Sequence, residues 1–399
     1  MEEHNRFIPN PKNKKKKRNI KSYSLSQEEN PTKIKRKVII YIISIFIFLY
    51  LIIQLTKIII SKRKSTPKKK SNLNDRVKNL FLIKEDDIDD ALTTNKTKIH
   101  ICMDLDNNLI YPTLVSMTSA LENCDKNKSI LIYYLLISHD FNFSDLNIIE
   151  SLKDKYPVKI NYYKIPPRFN NLKRWTYKTI AIYYKLYIPF ILPNLKRYIF
   201  LDGDTLIYKD LSEMFNLDFH DNYVLGFPFH TAKQADISGV KTIKYINSGV
   251  MLVNNEKIIN DKKDAELMDF TLKNCQKLVY PTQDPINIVF FNKVGFLPLK
   301  YGIYLIGSIK AFRNKIKKDV RVDIDENELN EAIKNPAIMH FSCCNPKVWH
   351  SESYHDFGEQ DVCKKYRNEF YFYANKTNYY NEMYNLYINK NSTNTNKTL

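Results

Sequence analysis

Cysteine is scarce in this chain: six among 399 residues, at Cys102, Cys124, Cys275, Cys343, Cys344 and Cys363. That is too few for a disulfide scaffold in a chain of this length. No pair has zinc-ligand spacing, and the adjacent Cys343 and Cys344 cannot form a site by themselves. One disulfide in an oxidising compartment stays open. A basic stripe on the globular part is also missing, although the net charge of +19 suggests one at first sight. Residues 1–70 hold 19 Lys or Arg against 4 Glu, so they carry +15 of that charge and the other 329 residues about +4. Nucleic acid is therefore not expected as a partner.

The N-terminal part has its own organisation. Residues 1–37 are polar and Lys-rich, without an apolar stretch, and read as a disordered basic tail. From Val38 to Leu55 the chain runs 18 residues without a charge, and extended past Lys57 to Ile60 it reaches 23. That suffices to cross about 30 Å of hydrocarbon. A cleaved signal peptide is disfavoured, because 37 polar residues precede the run and no small-residue cleavage site follows it. The expectation is one transmembrane signal-anchor helix over 38–60, with a stem over 61–96. Twelve basic residues precede the span and seven follow it up to Lys70, if Lys57 is counted with the latter. This favours a cytoplasmic N-terminus and a lumenal C-terminal domain, a type II arrangement. Six Asn-x-Ser/Thr sequons, at Asn95, Asn127, Asn142, Asn375, Asn391 and Asn396, agree with it.

Beyond residue 97 short strands alternate with helices. Lys98–Met103, Ile130–Ile137, Val158–Tyr163 and Arg197–Leu201 read as strands. Pro112 opens a helical stretch with Leu114, Val115, Thr118 and Leu121 on one face. Thr179–Leu192 is helical and stops before Pro193, and Tyr245–Asn254 is a strand pair or bend. The remainder reads as irregular to Asn335, and from about Ala374 a polar Tyr/Asn-rich tail follows. Alternation of this kind predicts an α/β domain over 97–373 with a mostly parallel sheet and helices on both faces. Ligands of such sheets bind beyond the carboxyl ends of the strands.

The sharpest local signal is Asp202-Gly203-Asp204-Thr205, which follows an apolar strand. Carboxylates at i and i+2 point the same way from a strand and repel each other unless a cation lies between them. Hard oxygen donors suit Mg²⁺ or Mn²⁺. A lone Asp-x-Asp is common, and an ordinary turn could use the same residues. A phosphatase motif is excluded by order, because Gly203 precedes the second Asp.

Five stretches in order resolve the ambiguity. These are KIHICMDLDNN with the helix after it, AIYYKLYIPFILPNLKRYIFLDGDTLIYKDL, YINSGVMLVN, TQDPIN and HFSCCNPKVW. From about Ile99 to Trp349 the chain resembles glycosyltransferase family 8, which contains glycogenin and bacterial lipopolysaccharide galactosyltransferases. The resemblance implies a single GT-A type, Rossmann-like nucleotide-sugar transferase domain. It implies Asp202, Asp204 and His340 as metal ligands, and the imidazole shifts the expected ion toward Mn²⁺. It places Asp106 and Asn108 at the nucleotide, with Lys185 and Asp202 also on the donor side. Asn247 and Gly249 would lie beside the donor sugar. Gln283 and Asp284 would face its reacting carbon and hydroxyls, and Lys347 would meet the diphosphate. The chain departs from the family in having Thr282 for an acid, Lys185 for Arg, and Val348 for Pro in Lys-Pro-Trp.

The implied activity is metal-dependent, retaining transfer of a hexose or pentose from a UDP-sugar. The acceptor would be a glycan, glycoprotein or glycolipid, met in the Golgi or another secretory-pathway membrane. The alternative, to which Thr282 lends weight, is a catalytically silent sugar-nucleotide- or glycan-binding membrane protein with the same fold.

Overall fold

The computed structural model describes residues 81–86, 95–138, 140–167, 172, 179–229, 244–304, 324–342, 347–350 and 360–389. The chain divides into two units, 1–70 and 71–399, and all described residues belong to the second. The expected tail and span lie outside the described residues. Among the described residues no helix is long and apolar enough to cross a membrane.

The centre of the fold is β2 (Thr97–Leu105), flanked by β3 (Ser129–Ile137) and β5 (Tyr198–Leu201), with β4 (Val158–Lys164) beyond β3. All pairs in this block are parallel. Alternation along β2 sends Ile99, Ile101, Met103 and Leu105 into one apolar cluster and Cys102 into the other. On the first face lies α1 (Ile110–Asn123), with Leu114, Val115, Met117 and Leu121 in the same cluster. On the second lies a 3₁₀ segment, Ile180–Tyr187, continuing as a short α-helix to Ile191. Because both faces are covered, β3 reads as a near-continuous apolar run, SILIYYLLI.

The eight-stranded sheet is mixed, which corrects the mostly parallel expectation. Its order is β1-β4-β3-β2-β5-β8-β7-β9, where β1 is Leu82–Lys84, β7 is Val224–Pro228, β8 is Ile246–Val253 and β9 is Val294–Phe296. Strands β5, β8 and β7 pair antiparallel, as do β1 and β4. The expected stem therefore ends inside the domain, since β1 is an edge strand of its sheet. The stretch Tyr245–Asn254 holds one strand, β8, rather than a pair. The stretch expected to be irregular holds α2 (Asn255–Asn260), α3 (Lys263–Asn274), α4 (Gln283–Val289) and α5 (Glu326–Lys334).

A second, three-stranded sheet orders β10 (Tyr301–Tyr304), β11 (Ile338–His340) and β6 (Thr205–Ile207). The C-terminal α6 (Gln360–Ala374) packs Tyr366, Phe370 and Tyr373 against the α1 side of the core. The chain stays part of the domain beyond Ala374, because α7 (Tyr380–Tyr384) and the turn after it bury Met383 and Tyr387 in the same cluster.

Candidate functional site

Strand pairing assembles the site. Asp202 follows the last residue of β5, and its backbone N–H donates to Gly249 O of β8 at 2.7 Å. Asp204 stands before β6, which runs antiparallel to β11 with His340 opposite Thr205. Phe341 N–H donates to Asp204 O at 2.9 Å, closing the ladder at the site itself. A register of three residues thus delivers the imidazole to the Asp-Gly-Asp turn. Two glycines permit the close approach. A Cβ on Gly203 would lie 2.3 Å from Thr113 Oγ1 of α1, and one on Gly249 would lie 2.2 Å from His340 Cε1 and 2.4 Å from Asp202 Oδ2.

His340 Nε2 is 3.2 Å from Asp204 Oδ1 and 3.5 Å from Asp202 Oδ2. The ring is 2% exposed, yet Nε2 has no hydrogen-bond partner. One donor atom from each of the three residues fits within 4.8 Å of the others. A buried ring nitrogen without a partner, facing two carboxylates, is the donor set that a divalent cation satisfies. The residues present therefore fit a metal ion.

Charge compensation at this cluster is extensive. Lys185 Nζ donates to Asp202 Oδ1 and to Ser248 O, each at 3.1 Å, and lies over the Phe200 ring at 4.0 Å. Lys347 Nζ donates to Asp204 Oδ2 at 2.7 Å and to Phe341 O at 2.6 Å. Desolvation works against ionisation of Asp202, but Lys185 and His340 overturn it and hold the carboxyl at about 2. Asp204 is likewise held well below the usual range against desolvation by Lys347 and His340. Burial pushes the His340 imidazole down, and Asp204 and Asp202 more than reverse that, so it ends raised.

Other expected residues take distinct places. Asp106 is buried; its Oδ1 accepts from Asn108 N at 2.9 Å and Leu109 N at 3.0 Å, while Oδ2 is buried without a partner. Asn108 is exposed on that loop. Asn247 Oδ1 accepts from Gly249 N at 2.8 Å, which shapes the segment beside Asp202. Gln283 Oε1 accepts from Ser248 N at 3.2 Å, so the start of α4 lies against β8. Lys185 braces Asp202. The Asp284 carboxylate is engaged by the protein: its Oδ2 accepts from Val279 N and Tyr280 N, both at 2.8 Å, and its Oδ1 from Tyr245 O–H. It is fully buried and ties the loop before α4 to β8.

Asp104 is a site neighbour that the sequence reading does not single out: the strand expected over Lys98–Met103 extends to Leu105 and takes Asp104 into β2. Its carboxyl is pushed well above the usual range by burial, with Lys185 opposing and Asp202 and Asp106 adding. Its Oδ1 is buried without a partner. The alternation of β2 could have shown it on the same face as Cys102, two residues from Asp106.

The description Glycosyl transferase family 8 matches residues 100–353, so the chain belongs to that family of glycosyltransferases. It is 24% identical over 286 residues to General stress protein A of Bacillus subtilis, covering 70% of this chain and 94% of the relative. It is 28% identical over 218 residues to a lipopolysaccharide 1,2-glucosyltransferase of Escherichia coli, covering 51% of this chain and 62% of that protein. Among solved structures, galactosyltransferase LgtC in complex with donor and acceptor sugar analogues shares the fold. There the TM-score is 0.53 at 15% identity, over 68% of this chain and 96% of that one.

Proposed function

We propose that this glycosyltransferase moves a hexose or pentose from a UDP-sugar to a glycan or glycoconjugate, with retention of configuration and with a divalent cation, Mn²⁺ before Mg²⁺. The observation that carries the reading is the convergence of Asp202, Asp204 and His340 around an unpartnered Nε2.

Breaking the bond from anomeric carbon to phosphate oxygen leaves UDP with an added negative charge. A cation held by Asp202, Asp204 and His340 would supply Lewis-acid stabilisation of that charge. Lys347 sits at the edge of the cluster, 2.7 Å from Asp204 Oδ2, and its ammonium would oppose charge building on the departing diphosphate. Lys185 keeps Asp202 ionised and oriented. The unpartnered Oδ2 of Asp106 is available to accept a hydrogen bond from the nucleotide. Gln283 meets the donor sugar, and an amide is a poor nucleophile, so the acceptor hydroxyl attacks on the face the leaving group vacates. The sugar passes through an oxocarbenium-like state.

We also place the domain in the lumen of the Golgi or another secretory compartment, anchored through residues 38–60. Exposure of all four sequon asparagines among the described residues, Asn95, Asn127, Asn142 and Asn375, supports this. Incubating the full chain with Mn²⁺ and UDP-glucose, UDP-galactose or UDP-xylose tests the reaction. Release of UDP from one of them is expected; binding without release would support the silent sugar-nucleotide-binding alternative.

A further inference from the structure

A glutamine amide can present either its oxygen or its nitrogen to a given neighbour, and its network decides which. Two contacts decide the matter for Gln283. On one side Ser248 N–H can only donate, so it takes Oε1, at 3.2 Å. On the other side Nε2 faces the Tyr245 oxygen at 3.3 Å. A phenol could donate or accept there, but the single Tyr245 proton is committed to Asp284 Oδ1. Asp284 cannot release it, because its other oxygen is engaged by Val279 N–H and Tyr280 N–H. Burial and the Asp284 charge also hold the Tyr245 phenol far above its usual range, so it remains O–H. The backbone of the same segment is clamped separately, by Asn287 Nδ2 donating to Gln283 O at 2.8 Å and Ile246 O at 2.9 Å.

We propose that Tyr245 is a positioning residue: with Asp284 behind it, it fixes the amide of Gln283 in one of its two orientations beside the reaction centre. The assignment rests on the reading of Gln283 as the group that meets the donor sugar. The amide is close enough to matter, since Ser248, which holds its oxygen, precedes Gly249, and Gly249 lies against His340 and Asp202. One Nε2–H and one lone pair of Oε1 remain to meet the substrate, and their direction is set by a tyrosine that need not touch it.

The experiment is a double-mutant cycle on the full chain. It uses Mn²⁺ and whichever of UDP-glucose, UDP-galactose and UDP-xylose the wild type turns over. Tyr245→Phe is expected to lower kcat by about 10-fold with KM for the donor within about 2-fold, the pattern of an effect felt in the transition state. In a Gln283→Ala background the same change should cost less than about 2-fold, because the group it acts through is gone. Asp284→Asn keeps every heavy-atom position and reverses the chain. Its amide nitrogen would face the Tyr245 oxygen, the phenol proton would turn to Gln283, and the amide could no longer satisfy both neighbours. A comparable kcat loss is expected, and this variant decides the matter if Tyr245→Phe fails to fold. Unchanged kcat in Tyr245→Phe, or in Asp284→Asn when the first does not fold, overturns the assignment. Equal fold losses with and without Gln283 overturn it too. A wild type that releases no UDP from any of the three donors overturns the transferase reading and this assignment with it, whereas an active wild type with an unaffected variant overturns the assignment alone.

Discussion

The two ends of strand β2 meet opposite surroundings. At its start Lys98 and His100 face a cavity of about 520 Å³, together with Lys159 and Asn161 of β4, Arg197 and Phe215. The only acid lining that cavity among the described residues is Glu85. Burial pushes the His100 imidazole down to about 4, and Lys98 adds to the effect. At the far end Asp104 and Asp106 approach the cluster of Asp202, Asp204, His340, Lys185 and Lys347. There burial also opposes charge, but opposite charges lie within hydrogen-bonding distance and reverse its effect at Asp202, Asp204 and His340. The difference teaches that volume and charge convergence mark different ends of one strand. The proposed reaction belongs to the end where opposite charges converge around an unpartnered buried atom.

The sharpest way to break this contrast is to neutralise the site end. Asp204→Asn removes one carboxylate from the triad and replaces the charged contact of Lys347 Nζ with a neutral one. UDP release in Mn²⁺ should fall by at least about 1000-fold, and near wild-type turnover would separate the triad from the reaction. Gly249→Ala leaves all charges in place but adds a Cβ where His340 and Asp202 already stand. Displacing them by a fraction of their spacing should lower kcat about 100-fold, as read from steady-state rates. A fully active alanine variant would mean that the cluster tolerates looser geometry than described.

Smaller effects belong to the other end. His100 binds its proton less readily folded than unfolded, so its contribution to stability is complete above pH 6.5 and is lost as pH falls toward about 4. The loss should be roughly 1 to 3 kcal/mol, and His100→Gln should flatten that part of the profile in urea unfolding at pH 7 and pH 4. The double change Lys98→Glu with Lys159→Glu inverts the charge of the cavity. It should leave kcat within about 2-fold, because Lys98 and Asp104 stand near opposite ends of β2, about 20 Å apart along the strand; a larger loss would join the two ends.

Much of the site was legible because its signals are local. Asp202-Gly203-Asp204 follows an apolar strand, and His340 lies in a stretch matched to the family pattern. The core strands were legible for the same reason, since alternation or continuous apolar runs mark β2, β3 and β4. What stayed hidden depends on pairing between distant segments. β1 is three residues, two of them exposed, and only its register with Tyr162 and Tyr163 makes it a strand. The antiparallel joining of β5 to β8 leaves no trace in either strand's own pattern. Asp284 looks like a site carboxylate beside Gln283, and only the backbone N–H groups of residues 279 and 280 reveal it as a brace. Met383 and Tyr387 sit among Asn and Tyr residues that read as a tail, until α6 brings them onto the core.

The account rests on a cation shared by two aspartates and an imidazole. UDP release by the full chain, measured after dialysis against EDTA and again after adding Mn²⁺, tests it most directly. Turnover should vanish on chelation and return with Mn²⁺ in the wild type, while His340→Ala should recover little of it at the same concentration. Equal rates in EDTA and in Mn²⁺ would contradict the account.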